Sequence, residues 1–269
     1  MKAGSVADPS ISFVVTAYRS DVTLPSCLRS IAAQQIAGTV ERVLVIDEPW
    51  SDRHEWLLAP EYADVKILAP GRVGRSRSLN LGVEASRGRF IAIADADDES
   101  LPGRAAEQVE YLNSHQHVSA LGGQLLQFGP WGTRVAGHWP VRSEDIDNRI
   151  ARGRMPLAHP AIAFRRDWFD DTGGYEPSAV RCEDFDLLLR GWTRGTYEAL
   201  NTFMIKYRTE TRFPTWNYWR REELYRHAIL SQRRMSDANV VIDSRLRMQT
   251  VGSDLARWML RRTLDKCRG

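Results

Sequence analysis

Cysteine and long apolar segments are both scarce in this sequence. The three cysteines, Cys27, Cys182 and Cys267, are odd in number and lie far apart, which argues against a disulfide framework and against a cysteine-based zinc site. No apolar run approaches the roughly 18 residues that a membrane-spanning helix requires, and the first ten residues lack the apolar core of a signal peptide. We therefore expect a cytoplasmic protein.

An excess of basic residues is confined to the C-terminal part of the chain. The 269 residues hold 37 Lys and Arg and 34 Asp and Glu, a net charge of +3. Residues 211–269 contain 13 of the basic and 6 of the acidic residues, a net of +7, which leaves a net of −4 on residues 1–210. A basic segment that also contains Trp and Tyr indicates contact with an anionic partner, either the inner face of a membrane or a nucleic acid. A solvated helical face is the structural alternative.

Strand and helix patterns alternate along the first 210 residues. Apolar runs predict strands at 11–16, 42–47, 65–69, 90–94, 118–128, 161–165 and 203–207, and helices at 25–34, 74–86, 101–114 and 183–194. The section 129–180, rich in Gly, Pro, Trp and His, predicts loops around short elements. This alternation is typical of an α/β fold with a mostly parallel sheet flanked by helices. The pattern turns helical beyond residue 213, so we expect a domain at 1–210 and a helical extension at 211–269.

Acidic residues follow two of the predicted strands. The apolar run 90–94 leads directly into Asp95, Asp97, Asp98 and Glu99, and the run that begins at residue 42 ends in Asp47. Ligands of parallel α/β sheets bind beyond the carboxyl ends of the strands, so these acids are expected to converge on one crevice. A divalent cation would relieve the repulsion among them, because such ions prefer carboxylate oxygens. A solvated acidic loop or a helix cap is the alternative.

Three ordered motifs give the chain a family resemblance. Residues 74–112 contain an Asn-x-Gly helix, a strand, an Asp-x-Asp sequence and a Pro-x-Arg helix, and residues 155–191 contain His-Pro, Gly-Gly-Tyr and Glu-Asp in that order. A weaker match is Met-Ile-Lys-Tyr-Arg at 204–208. Together these motifs resemble those of family 2 glycosyltransferases, which have the Rossmann-like GT-A fold. The resemblance covers about residues 10–210.

The resemblance implies a reaction and a cofactor. It implies an inverting glycosyltransferase that moves a sugar from a nucleotide-diphosphate donor, with a UDP-sugar favoured, to an acceptor hydroxyl by direct displacement. Mg²⁺ or Mn²⁺ would assist by neutralising the departing diphosphate. The implied acceptor is a glycan or a lipid-linked sugar, and the implied setting is glycan or exopolysaccharide assembly.

The resemblance also assigns residues to the donor. It implies that Asp97 coordinates the metal and that Asp95 lies at the ribose and the metal, with Ala96 between them. Asp47 corresponds to the acid at the nucleobase. The turn Thr16-Ala17-Tyr18 would line the nucleotide pocket, and Arg75 or Arg77 would meet the phosphates, although helical Arg residues are commonly solvated.

On the acceptor side, the resemblance implies that Asp184 is the catalytic base. A helix cap is the structural alternative for this residue. Glu183 precedes it in the matching Glu-Asp pair. His159 orients the acceptor or supports the loop, while Gly174, in Gly173-Gly174, permits a tight turn above Tyr175.

Two departures from the family pattern lie on the nucleotide side. The usual acidic pair followed by Gly-Ser is here Asp47-Glu48-Pro49-Trp50, and the early motif that usually ends in Tyr-Asn reads Tyr18-Arg19. They leave the nucleobase and the sugar open. Two further hypotheses remain: the same chemistry on a modified base of a nucleic acid, and a nucleotide-sugar-binding protein without turnover. For the extension at 211–269, an oligomerisation surface and a lid over the acceptor site are equally open alternatives.

Overall fold

The computed structural model describes residues 8–135, 138–179, 181–211 and 215–236, together with 248–249, 251–253, 255–256 and 259. Most of the C-terminal half of the predicted extension therefore lies outside the described residues. Within the described part, every helix is too short or too polar to span a bilayer.

The chain forms nine strands and seven α-helices over the described residues up to Ser236. The strands are β1 (Ile11–Ala17), β2 (Val40–Ile46), β3 (Val65–Leu68), β4 (Phe90–Asp95), β5 (Glu99–Ser100), β6 (Val118–Gly129), β7 (Gly132–Val135), β8 (Ala163–Arg165) and β9 (Thr196–Arg208). The helices are α1 (Leu24–Ala32), α2 (Arg75–Ala85), α3 (Arg104–Ser114), α4 (Ser143–Ala151), α5 (Arg166–Thr172), α6 (Glu183–Gly191) and α7 (Trp216–Ser236). Short 3₁₀ segments lie at Asp52–Leu58, Pro60–Tyr62, His159–Ala161 and Trp192–Arg194.

One sheet joins all nine strands, in the order β3-β2-β1-β4-β8-β6-β9-β5, with β7 paired to β6. The strands β3, β2, β1 and β4 are parallel, whereas β8 is antiparallel to both of its neighbours. The α/β class and the helix-flanked sheet are confirmed, and the sheet is mixed beyond β4. In the parallel part, Thr16 is opposite Asp95 and Ala17 is opposite Ile46, so β1, β2 and β4 end at the same edge.

The sheet is buried on both faces. On one face, Val14 of β1 packs in a cluster with residues of α2, α4, α5, α6 and α7. On the other face, Phe13 and Val15 pack with residues of α1 and α3. Alternate residues of a strand point to opposite faces, and burial of both faces explains why β1 is mostly apolar, with only Ser12 and Thr16 polar, rather than alternating.

Two parts of the fold differ from the sequence prediction. The late strand is longer than 203–207, because β9 begins at Thr196, with Tyr197 and Ala199 buried on alternate positions. The section 129–180 contains the helices α4 and α5. In α4, Ile146 and Ile150 are both fully buried and lie on one face. The helix is only nine residues long, so its apolar periodicity is too short to stand out in the sequence.

Helix α7 packs against the body of the protein. Ile229 and Leu230 are buried in the same cluster as α6. Arg233 forms an ion pair with the fully buried Asp186 of α6, at 2.6 Å. The first helix of the predicted extension therefore contacts the helix that begins with Glu183 and Asp184.

Candidate active site

A cleft of about 570 Å³ lies at the edge where β1, β2 and β4 end. Its lining includes eight of the residues predicted from sequence: Thr16, Ala17, Tyr18, Asp47, Arg75, Asp95, Ala96 and Asp97. Arg77 is exposed and is not among the lining residues of this cleft. The common end of the parallel strands therefore brings together side chains that are up to 81 positions apart in sequence.

Three carboxylates meet on one side of this cleft. Asp95, Asp97 and Asp98 each present an oxygen within 4.8 Å of those of the other two. Burial, followed by repulsion from Asp95, raises the pKa of Asp97 and raises that of Asp98 further. One oxygen of Asp98, Oδ2, is buried and has no hydrogen-bond partner among the described residues. A site with crowded, partly unpaired carboxylate oxygens fits a hard divalent cation.

Strand β9 supports the acidic turn. The backbone N–H of Arg208 donates to Oδ1 of Asp98 at 2.7 Å, and its Nε donates to the carbonyl of Asp97 at 2.9 Å. Glu99 and Ser100 of β5 pair with Lys206 and Ile205 of β9. The weak motif at 204–208 is thus the part of β9 that supports the turn at Asp97 and Asp98, a role that its sequence did not indicate.

Arg75 connects the cleft to the start of α6. Its guanidinium contacts Asp95 at 2.5 Å and Glu183 at 2.7 Å. Burial opposes ionisation of Asp95, but the charge of Arg75 outweighs it and the pKa of Asp95 is lowered. Asp95 is therefore ionised at neutral pH. Arg75 likewise keeps its positive charge, because Asp95 and Glu183 both lie against its guanidinium.

Asp47 lies in the cleft with its carboxylate already engaged. Its Oδ1 accepts hydrogen bonds from the backbone N–H groups of Val73 and Gly74, at 2.7 and 2.9 Å, and Oδ2 accepts one from Arg72. The guanidinium of Arg72 lies 3.7 Å from the centre of the Tyr18 ring. In this structure Asp47 holds the loop before α2, and contact with a nucleobase stays a prediction.

The two departures from the family pattern contact each other. Glu48 accepts a hydrogen bond at 3.0 Å from the backbone N–H of Arg19, which has a positive φ of 52°. Glu48 also pairs with Arg53 at 2.8 Å. Burial opposes its ionisation, but these contacts lower the pKa of Glu48. Glu48 thus stabilises the unusual backbone at Arg19, so the two departures form one local structure.

A second pocket, of about 260 Å³, contains Asp184 and His159. Asp184 is the second residue of α6, and Cys182 occupies the cap position, so the helix-cap alternative does not describe Asp184. Burial, and then the charge of Glu183, raise the pKa of Asp184 to about 7. A carboxylate of this basicity is suited to accept a proton near neutral pH.

His159 and Tyr175 form a buried pair below this pocket. Nε2 of His159 lies 2.8 Å from the Tyr175 hydroxyl, and both side chains are almost fully buried. Burial, and then the charge of Arg75, lower the pKa of His159 to about 3. His159 is therefore neutral at physiological pH, and Tyr175 fixes its orientation.

The Asn-x-Gly and Gly-Gly-Tyr motifs meet in space. The amide of Asn80 donates to the carbonyl of Tyr175 and accepts from its N–H, both at 2.8 Å. Gly174 has a φ of +68°, and a Cβ at this position would lie 2.9 Å from Oδ1 of Asn80. At Gly82, a Cβ would lie 2.4 Å from Cγ1 of Val14. Asn80 therefore clamps the Tyr175 loop, and Gly82 lets α2 approach the sheet.

Helix α7 adds residues to the second pocket that the sequence reasoning did not assign to a site. Tyr218, Glu222 and Arg226 all line it. They are spaced four residues apart, which places them on one face of a helix. That spacing was visible in the sequence, but nothing in it indicated what this face contacts.

Comparisons with known proteins identify the family. The sequence matches the family described as Glycosyl transferase family 2 over residues 12–173. It is 30% identical to the amylovoran biosynthesis glycosyltransferase AmsE of Erwinia amylovora over 227 residues, which cover 80% of this chain and 84% of that protein. It is 35% identical over 105 residues to the succinoglycan biosynthesis protein ExoO of Rhizobium meliloti, a match covering 38% of this chain and 29% of ExoO. The chain belongs to glycosyltransferase family 2.

Solved structures confirm the fold. The structure of S. aureus TarS residues 1–349 superposes with a TM-score of 0.61 at 18% identity, over 74% of this chain and 60% of that one. The complex of the same protein with UDP-GlcNAc gives a TM-score of 0.61 at 16% identity, over 82% of this chain and 66% of that one. The chain thus spans less than two thirds of these structures, and at this identity the likeness establishes the fold.

Proposed function

We propose that this glycosyltransferase moves a sugar from a UDP-sugar to an acceptor hydroxyl, with inversion at the anomeric carbon, by direct displacement. The observation that carries the proposal is the junction at Arg75. This one side chain contacts Asp95, in the cleft with three carboxylates, and Glu183, next to Asp184 in the second pocket. Direct displacement requires a donor site and a base that face the same carbon from opposite sides, and the link through Arg75 between the cleft and the start of α6 supports such an arrangement.

The cleft is the proposed donor site. Thr16, Ala17 and Tyr18 would surround the nucleoside, and Arg75 would lie at the diphosphate. Asp95 and Asp97 would hold Mg²⁺ or Mn²⁺, with Asp98 beside them, and such an ion neutralises charge on the departing diphosphate. The solved TarS complexes with UDP and UDP-GlcNAc support a UDP-sugar as the donor class.

Asp184 is the proposed catalytic base in the second pocket, the proposed acceptor site. Its carboxylate would take the proton of the acceptor hydroxyl as the hydroxyl oxygen attacks the anomeric carbon and the bond to the diphosphate breaks. His159 is unsuited to this role, since its pKa of about 3 makes it a weak base and its Nε2 is engaged by Tyr175. Glu183 is held in its ion pair with Arg75.

We propose polysaccharide assembly as the setting, with a glycan or a lipid-linked sugar as acceptor. The biosynthetic roles in the names of AmsE and ExoO support this. A peripheral position at the inner face of the membrane would use Arg220, Arg221 and Leu224 of α7, which are exposed. The nucleic-acid hypothesis finds less support, because Trp216 and Trp219 stack on each other with ring centres 5.2 Å apart and Tyr218 lines the pocket of Asp184.

The experiment is a transfer assay with a panel of UDP-sugars and Mn²⁺, combined with UDP binding followed by thermal shift. UDP should raise the melting temperature in the presence of Mn²⁺, because a ligand of the native state stabilises it by mass action. Asp97→Asn should remove the Mn²⁺-dependent part of this shift, and the exposed control Asp52→Asn should keep it. Binding of UDP without hydrolysis or transfer of any donor would favour the non-catalytic hypothesis.

A further inference from the structure

Helix α7 forms one wall of the second pocket and is packed against the body of the protein. Ile229 and Leu230 anchor the helix in the core, and Arg233 binds Asp186. Asp186 also binds Arg190 at 2.8 Å, and Arg190 donates at 2.5 Å to the carbonyl of Gly174. The position of α7 is therefore tied both to the helix that carries Asp184 and to the loop above Tyr175.

Two residues that line this pocket each carry an unsatisfied polar atom. Oε1 of Gln127, on β6, and Nε of Arg226, on α7, are both buried and have no hydrogen-bond partner among the described residues. Both residues line the pocket. Buried polar atoms normally have partners, so an unmatched acceptor and an unmatched donor at one cavity indicate a ligand that carries both kinds of group.

The charges around the pocket limit what the ligand is. Asp184 and Glu222 both line it, and the guanidinium of Arg226 is already paired with Glu223. An additional carboxylate or phosphate here would meet two acidic side chains and an arginine that is already neutralised. Burial raises the pKa of Glu222, which fits a group held in a poorly solvated wall. The pocket therefore disfavours an anion.

Aromatic rings complete the lining. Trp139, Tyr207 and Tyr218 contribute to the pocket. Aromatic side chains offer large apolar faces, and Tyr also carries a hydroxyl that can hydrogen-bond. Such a combination of ring faces, acceptors and donors matches a sugar ring, which has apolar C–H faces and a rim of hydroxyls.

We propose that α7 determines acceptor specificity, with Tyr218, Glu222 and Arg226 binding the accepting sugar unit, and that this unit is a neutral sugar. This rests on the proposed function, since it takes the second pocket as the acceptor site. Glu222 and Gln127 would accept hydrogen bonds from sugar hydroxyls, and Nε of Arg226 would donate one. Tyr218 would pack against the ring.

The test uses the full chain with the donor that gives the fastest hydrolysis, and a panel of methyl glycosides of glucose, galactose and N-acetylglucosamine with the matching uronic acids for the two hexoses. We expect at least one neutral glycoside to be glycosylated with a kcat/KM at least tenfold above that of every uronide. Glu222→Gln and Tyr218→Ala should each raise the acceptor KM about tenfold, as expected for loss of a charged hydrogen bond or a ring contact. The donor KM should change less than twofold. Asn217→Ala, at an exposed position on the same helix, is the matched control.

Two results would overturn this proposal: a uronide used as well as the best neutral sugar, or an acceptor KM unchanged in both variants. Binding gives a second readout that does not need turnover. Saturation-transfer NMR with UDP and Mn²⁺ present should detect the neutral glycoside on the wild-type chain and lose it in Tyr218→Ala. Absence of donor hydrolysis, with UDP binding intact, would refute the proposed function instead, and the NMR comparison would still decide the sugar preference.

Discussion

Replacing Asp184 by Asn should lower activity and raise stability at the same time. The pKa of this carboxyl is raised from 3.8 to about 7, by burial first and by Glu183 second, so the fold disfavours its ionised form. The resulting loss of stability is absent below pH 3.8, grows as the pH rises from there to 7, and is complete above pH 7. An asparagine cannot ionise and avoids this loss.

The size of the effect follows from the shift in pKa. Each unit corresponds to about 1.4 kcal/mol, so the full shift gives an upper limit of ~4 kcal/mol above pH 7. Because the pocket is open to solvent, we expect Asp184→Asn to raise the free energy of unfolding by ~1–3 kcal/mol at pH 8 and by much less at pH 5. Urea unfolding at the two pH values measures this.

Activity should change in the opposite direction. Loss of a general base typically lowers the rate ~10²–10⁴-fold, and kcat of Asp184→Asn should fall within this range. In the wild type, kcat should rise with pH and level off above about 7, as Asp184 loses its proton. Asp52→Asn, at an exposed position outside both pockets, is the matched control. An Asn variant that keeps its activity, or one that is less stable than the wild type at pH 8, would refute the reasoning.

Two further predictions concern the supports of the site. Asn80→Ala leaves the buried N–H and carbonyl of Tyr175 without their partners at 2.8 Å and should lower the free energy of unfolding in urea by ~1–3 kcal/mol. The exposed control Asn113→Ala should stay within ~0.5 kcal/mol of the wild type. Equal effects of the two variants would contradict the role of Asn80 as a clamp. Asp98→Asn removes one of three crowded carboxylates. Burial, and then repulsion from Asp95 and Asp97, raise the pKa of Asp98, so the melting temperature without metal should rise while the gain from UDP with Mn²⁺ shrinks. An undiminished gain would remove Asp98 from the metal site.

The parallel half of the fold could be predicted because its signals are local. The strand that ends at Asp95 is an apolar run of residues buried on both faces, and each residue of β1 is buried in the same way. Because parallel strands end at the same edge of a sheet, the acids that follow two of these strands could be placed in one cleft, and Asp47, Asp95 and Asp97 do line it. Nothing beyond neighbouring residues was needed for these inferences.

The rest depended on contacts between distant parts of the chain. Asn80 and Tyr175 were each part of a recognised motif, but their mutual hydrogen bonds join positions 95 residues apart. Arg75 was predicted to meet phosphates, while its contact with Glu183 depends on how α6 packs against α2. The charge of the extension suggested an outside partner, and the sequence did not choose between that, an oligomerisation surface and a lid over the acceptor site. Its buried residues, Ile229 and Leu230, instead turn one face of α7 towards the pocket of Asp184.

The most direct test of the central claim is the anomeric configuration of the product. The chain should be supplied with an α-linked UDP-sugar, Mn²⁺ and the acceptor that it uses best, and the new linkage should be read from the anomeric proton by NMR in the first minutes of reaction. A single displacement with Asp184 as base predicts a β-linked product. An α-linked product would contradict the account, because retention requires a different mechanism from attack on the face opposite the diphosphate.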